Sequence, residues 1–248
     1  MFDWLGYVLI IIIVGLFITL FFVRRSSLQQ GKVKGQNELL DLILKGGYHM
    51  KVAEFRVLNR YTKPHGIVFV GDSITQSYPV HEFYPGLPVY NRGIGGDTTI
   101  GLMNRLDESI FDLHPDVVVL LIGTNDLALL DTTPKDIVNR IESLIDTIHR
   151  KCPDTKIMVQ SIYPVHQGPH PQISSLSVGR RNNHDIQTCN QLLSQIQGIT
   201  YVDMFSRLVD EHGQIQLAYT TEGLHISSEG YQVITNYLMP LLKEWIHA

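Results

Sequence analysis

Ile67-Val68-Phe69-Val70, running directly into Gly71-Asp72-Ser73-Ile74-Thr75, decides the fold. An uncharged, β-branched and aromatic run of this kind suits a strand buried on both faces, and the glycine and polar residues after it suit a turn. Similar runs follow at Val89-Tyr90, Val117-Val118-Val119-Leu120-Leu121-Ile122, Ile157-Met158-Val159 and Ile199-Thr200-Tyr201-Val202. Amphipathic segments separate them. The clearest has Thr133-Pro134 as N-cap and first helical residue before Ile137, Ile141, Leu144 and Ile148. Parallel neighbours need crossover connections, so the alternation predicts one three-layer α/β domain, a roughly five-stranded parallel sheet with helices on both faces.

Upstream, Trp4 to Val23 is an uncharged run of twenty residues ending at Arg24-Arg25. As a helix it would extend about 30 Å, the thickness of a bilayer's hydrocarbon core. Asp3 precedes the run, no Lys or Arg does, and no small-x-small cleavage site follows, so the reading is an N-terminal transmembrane anchor rather than a signal peptide. Arg24, Arg25, Lys32 and Lys34 follow the span, and the positive-inside rule places the catalytic domain in the cytoplasm. The expected organisation is an anchor over 1–25, a linker and lead-in helices over 26–62, and a catalytic domain over 63–248. Within the lead-in, Gly46-Gly47 is expected to break the helix before a second helical pattern over Tyr48 to Tyr61.

The chain has 248 residues with 20 basic and 24 acidic side chains mixed along its length, and no basic stripe for a phosphate backbone. Nucleic acid is therefore not an expected partner. Cys152 and Cys189 lie far apart without metal or redox spacing and read as ordinary thiols.

In open α/β sheets, ligands bind at the carboxyl ends of strands, so the residues just after each apolar run carry the functional argument. The first run puts Ser73 in a strand-to-helix turn, although Gly-Asp-Ser is also plain turn chemistry. The second leads into Asn91-Arg92-Gly93-Ile94-Gly95-Gly96-Asp97-Thr98, whose glycines let backbone amides approach an anion. It is not a dinucleotide fingerprint, and no Walker lysine follows. The third leads into Gly123-Thr124-Asn125-Asp126, where Asn125 offers an amide donor for a developing negative oxygen. Near the C-terminus, Thr220-Thr221-Glu222-Gly223-Leu224-His225 places a carboxylate three residues before an imidazole, the spacing of a general base and its orienting acid. Each block alone has a structural explanation. Together they put a nucleophile, donors and a base on one rim.

These four blocks resemble those of the SGNH hydrolases, or GDSL esterases and lipases, from about Lys63 to Trp245. The Gly-Ile-Gly-Gly-Asp-Thr and Gly-Thr-Asn blocks are most like the branch that includes the platelet-activating-factor acetylhydrolase catalytic subunits. The resemblance implies a flavodoxin-like three-layer αβα sandwich with a five-stranded parallel sheet. It implies Ser73 as nucleophile, His225 as base, Glu222 as its acid, and the Ser73 N–H, Gly96 N–H and Asn125 amide as the oxyanion hole. Neither metal nor cofactor is implied. One departure stands out, since the family usually has aspartate where this chain has Glu222.

The expected activity is acyl-ester hydrolysis on a small-molecule, lipid or glycan ester. The same residues would serve an acyltransferase, and Glu222 leaves open an inactive membrane-tethered binding module. The connections from Tyr163 to Arg181 and Val209 to Thr221 are expected to line the pocket. His166, His170 and His184 are irregularly spaced among Gly168, Pro169 and Pro171, which favours a mobile rim loop over a metal site.

Overall fold

The computed structural model describes residues 42–247. The expected membrane span, the linker after it and the first part of the lead-in helix lie outside the described residues. Among the described residues no helix is long and apolar enough to cross a membrane. The chain divides into two compact units, Met1–Gly46 and Gly47–Ala248. In the first, residues 42–46 are helical.

In the second unit, residues 47–59 are helical. The break expected at Gly46-Gly47 does not occur, because both glycines have helical backbone and neither takes the positive φ that commonly ends a helix. A glycine in a helix costs about 1 kcal/mol relative to alanine. Tyr48, Val52 and Phe55 pack against Ile94, and burying even one such side chain contributes about 1.5–3 kcal/mol.

The sheet comprises β1 (Ile67–Gly71), β2 (Val89–Gly93), β3 (Val117–Leu121), β4 (Lys156–Gln160) and β5 (Thr200–Val202). Its strands run in the order β2-β1-β3-β4-β5, and every pair is parallel. Each apolar run expected to be a strand is one. β2 continues further than its apolar pair suggests, through Asn91 and Arg92 to Gly93. It lies at the sheet edge, where polar side chains can reach solvent or a neighbouring loop.

Side chains alternate between the two faces with period two. Val68, Val70, Val118, Leu120, Ile157 and Val159 point to one face, covered by the Pro134–Lys151 and Asn183–Leu193 helices. Ile67, Phe69, Val117, Val119, Leu121 and Met158 point to the other, covered by the final Ser228–His247 helix through Ile234, Leu238 and Leu242. The Pro134–Lys151 helix starts where the sequence places it. Thr133 accepts from the Asp136 N–H while the Asp136 side chain accepts from the Thr133 N–H, a reciprocal cap that satisfies two otherwise orphan donors.

β1 is also where the connections change direction, since β2 lies on one side of it and β3 on the other. Such a switch point opens a crevice at the carboxyl end, and Ser73 follows β1 directly.

Core and cap contributions separate by size. Ile141, 1% exposed within the first core layer, should cost about 2–5 kcal/mol on change to alanine, and Thr133→Ala about 1 kcal/mol. Urea unfolding measures both, and equal losses would contradict this assignment.

Candidate active site

Asp72 caps the one-turn Ser73–Gln76 helix by accepting from the Ile74 N–H at 2.9 Å, which fixes Ser73 as its first residue. Tyr231, on the final helix, donates to the Ile74 carbonyl at 2.6 Å and stacks on Tyr78 with ring centroids 4.5 Å apart. The second core layer thereby braces the serine turn. Gly93, at the end of β2, must lack a side chain, since a Cβ there would fall 2.1 Å from the Gln76 nitrogen. That close approach brings the glycine loop against the serine turn, and Gly95 N–H donates to Gln76 Oε1 at 2.6 Å.

The C-terminal block arrives from the opposite direction in sequence. His225 Nε2 lies 3.0 Å from Ser73 Oγ across a separation of 152 residues. On its other side, His225 Nδ1 lies 2.5 Å from Glu222 Oε1. The second Glu222 oxygen accepts from the Thr221 hydroxyl, and Oε1 also takes the His225 backbone N–H at 3.2 Å. Burial works to raise the Glu222 pKa, but the hydrogen bonds from Thr221 and His225 prevail and hold it below its ordinary value. An ionised Glu222 selects the tautomer with the proton on Nδ1, leaving Nε2 free to accept from the serine hydroxyl.

The extra methylene of glutamate is accommodated by the turn itself. Gly223 has φ +100°, and the His225 carbonyl accepts from the Thr221 N–H at 2.9 Å and the Thr220 hydroxyl at 2.8 Å. The 163–181 connection pins the same turn, with His166 N–H donating to Gly223 O at 2.9 Å and Ser174 N–H to Glu222 O at 2.9 Å.

Asn125 is 4% exposed and is held from two sides. Its Nδ2 donates to the Asp97 carbonyl at 2.9 Å, and its Oδ1 accepts from Arg181 at 2.6 Å. The N–H groups of Ser73 and Gly96 donate to no other described residue. Ser73, His225 and Glu222 thus form one hydrogen-bonded series, while Gly96 follows β2 in the glycine loop and Asn125 follows β3 in the first turn of the Thr124–Leu129 helix. Such a set can deprotonate a serine hydroxyl and offer donors to an oxyanion.

Three residues that sequence reasoning did not single out help to build this rim. Arg105, fully buried, donates to Asp97 Oδ2, Arg92 O, Ser109 Oγ and Gly71 O at 2.6–2.8 Å. Its signal was an arginine standing between Leu102 and Leu106, in an otherwise apolar neighbourhood. Thr221 holds the free oxygen of Glu222, and its adjacency to that residue was the available hint. Arg181, in an irregular polar stretch, had no comparable signal.

A cavity of about 420 Å³ lies among His166, Gln167, Pro169, His170, Ile173 and Val178. It borders the Glu222–Gly223 turn, because a Cβ on Gly223 would come within 3.1 Å of Val178, His166 and Ile173 atoms. This is the 163–181 connection expected to line a pocket. The 209–221 connection takes no part in this cavity. His184 sits apart, in the Asn183–Leu193 helix, and among the described residues no three His, Cys, Asp or Glu side chains gather as a metal site. Cys152 and Cys189 are free and buried, and burial pushes both thiols up.

Comparison with known proteins agrees with this architecture. The GDSL-like Lipase/Acylhydrolase family matches residues 69–233. The human platelet-activating factor acetylhydrolase IB subunit alpha2 is 28% identical over 193 residues, covering 76% of this chain and 80% of that protein. A solved Streptococcus pneumonia protein described as a candidate platelet activating factor is 34% identical, with a TM-score of 0.75 and coverage of 83% of this chain and 97% of its own. A GDSL-like lipase from Bacteroides thetaiotaomicron, 22% identical with a TM-score of 0.65, covers 78% of this chain and 97% of its own and shares the fold. The chain belongs to the GDSL-like lipase/acylhydrolase, or SGNH hydrolase, family. It is a hydrolase acting on ester bonds.

Asp72 yields a test of the site's electrostatics. Burial pushes its carboxyl up to about 7 against the pull of the Ile74 N–H and Arg181, and its Oδ2 has no hydrogen-bond partner. Between its ordinary value of 3.8 and about 7, the unfolded chain has released this proton while the folded chain retains it. Folding stability therefore falls as pH rises through that window. Asp72→Asn should lose this component, so urea unfolding from pH 4 to 8 should show a flatter dependence than wild type. Identical slopes would refute the assignment.

Proposed function

We propose that the protein is a membrane-anchored serine esterase working through an acyl-enzyme on Ser73. The observation that carries this reading is the unbroken series from Ser73 Oγ to His225 Nε2 at 3.0 Å and from His225 Nδ1 to Glu222 Oε1 at 2.5 Å. His225 takes the Ser73 proton as Oγ attacks the ester carbonyl, and Glu222 stabilises the resulting imidazolium. The carbonyl oxygen, now an oxyanion, accepts from the Ser73 and Gly96 N–H groups and from Asn125 Nδ2. His225 then protonates the leaving alcohol. Water, deprotonated by His225, attacks the acyl-enzyme, and collapse of the second tetrahedral species returns the proton to Ser73 and releases the acid.

The inactive-module alternative rested on Glu222, and that residue reaches the imidazole in spite of its added length. Similarity to a platelet-activating factor acetylhydrolase subunit supports an acyl ester substrate with a small acyl group. Anchoring is supported by the apolar Trp4 to Val23 run, and a cytoplasmic catalytic domain by the basic residues after it.

Ser73→Ala should lower hydrolysis of p-nitrophenyl acetate by a factor on the order of 10⁴ to 10⁶ and abolish fluorophosphonate labelling. Glu222→Gln should lower kcat by about 10² to 10⁴ through the wrong imidazole tautomer. Undiminished turnover in Ser73→Ala would sink the mechanism, and undiminished turnover in Glu222→Gln would remove Glu222 from it. For the anchor, alkaline carbonate should leave the full-length chain in the membrane pellet and detergent should release it. Release by carbonate alone would refute a spanning helix.

A further inference from the structure

An asparagine side chain can present either end of its amide, and only one presents a donor to an oxyanion. At Asn125 that choice is made twice. The Asp97 carbonyl accepts from Nδ2 at 2.9 Å, and Arg181 Nη2 donates to Oδ1 at 2.6 Å. Reversing the amide would set oxygen against the Asp97 carbonyl and an NH₂ against a guanidinium, two repulsive contacts in a buried site. A polar group left unsatisfied there keeps its full desolvation penalty. One Nδ2 hydrogen is committed to Asp97, which leaves the other for a ligand.

Arg181 is itself clamped. It is 5% exposed, its Nε donates to Thr124 O at 2.9 Å and Thr124 Oγ1 at 3.2 Å, and its Nη1 donates to Ser177 O and Val178 O, each at 3.0 Å. The planar fork uses both edges on carbonyls of two separate elements, the Thr124–Leu129 and Ser175–Val178 helices, so its third direction is fixed. A lysine ammonium could keep the charge but not this geometry. A cationic donor on Oδ1 draws electron density from the amide and strengthens its remaining N–H as a donor.

We propose that Arg181 is a positioning residue for ester hydrolysis, which orients and polarises the Asn125 amide by donating to its Oδ1. The inference rests on the reading of Asn125 as an oxyanion donor. Arg181 touches neither Ser73 nor His225 in any hydrogen bond. Its charge also acts on Asp72, the cap of the Ser73 turn, and Arg181→Lys, which keeps the charge, isolates the part of its effect that passes through Asn125. A purely structural Arg181 would brace the 163–181 connection whatever residue stood at 125.

The test is a double-mutant cycle on p-nitrophenyl acetate hydrolysis by the full-length protein, with melting temperatures measured for every variant. Asn125→Ala should lower kcat by about 10² to 10³. Arg181→Lys should lower kcat by about tenfold with KM within about threefold, and Arg181→Met by more, as expected for donor strength expressed in the transition state. In the Asn125→Ala background Arg181→Lys should change kcat by less than about twofold, because residues acting through one another are not additive. If Arg181→Met does not fold, Arg181→Lys carries the cycle. An equal loss of kcat in both backgrounds, or an unchanged kcat in Arg181→Lys and Arg181→Met, would overturn the inference while leaving Asn125 as a donor. Undiminished kcat in Asn125→Ala would instead overturn the oxyanion reading and this inference with it.

Discussion

The buried Arg105 guanidinium is the interaction on which the catalytic rim depends. It gathers the Gly71 carbonyl from the end of β1, the Arg92 carbonyl from β2 and the Asp97 carboxylate from the glycine loop. A charge taken out of water is tolerable only when it is paired and its donors are used, and here Nε and both terminal nitrogens have acceptors. The consequence is geometric. The serine turn and the glycine loop belong to different strands, yet one planar group holds both, so the Ser73 and Gly96 amides keep a fixed relation. Asp97 passes the constraint on, since its backbone carbonyl takes the Asn125 amide. Asp126 adds a parallel tie between the short helices that follow β2 and β3, Thr99–Met103 and Thr124–Leu129, by accepting from the Thr99 N–H and hydroxyl and from Arg140.

The 163–181 connection braces the rim from the other side. It pins the Glu222–Gly223 turn through main-chain bonds from His166 and Ser174, and through Arg181 it reaches Asn125. It also lines the cavity beside that turn. One connection thus contacts the Glu222–Gly223 turn, Asn125 and the cavity. Its sequence is irregular, which is what a segment shaped by its contacts rather than by a repeating backbone pattern should look like.

Glutamate at position 222 shows how a site tolerates a longer carboxylate. The additional methylene is taken up within a turn in which the His225 carbonyl accepts from Thr220 and Thr221. The spare carboxylate oxygen then falls to the Thr221 hydroxyl. A carboxylate fixed at both oxygens has little freedom to swing, which offsets the extra rotatable bond.

Strand positions and the nucleophile turn were legible in the sequence because both follow from local rules. The β-branched Val117-Val118-Val119 within a short apolar run favours a fully buried strand, and Thr133-Pro134 announces a helix start without help from distant residues. The carboxyl-edge rule then directed attention to Ser73, Gly96 and Asn125, and the Glu222-to-His225 spacing to the carboxylate–imidazole pair that the fold brings to Ser73. Gly46-Gly47 misled, because a glycine's local penalty is small beside the packing of Tyr48, Val52 and Phe55. What the sequence by itself determined is the class of chemistry and the strand-by-strand frame, both encoded in residue type and spacing. Tertiary structure alone decided that His225 meets Ser73 across 152 residues. It also decided that Glu222 is long enough without being too long, and that Arg105 and Arg181 point inward at the rim. The physical reason is that hydrogen-bond direction and burial depend on where separate elements converge, and no local pattern records that.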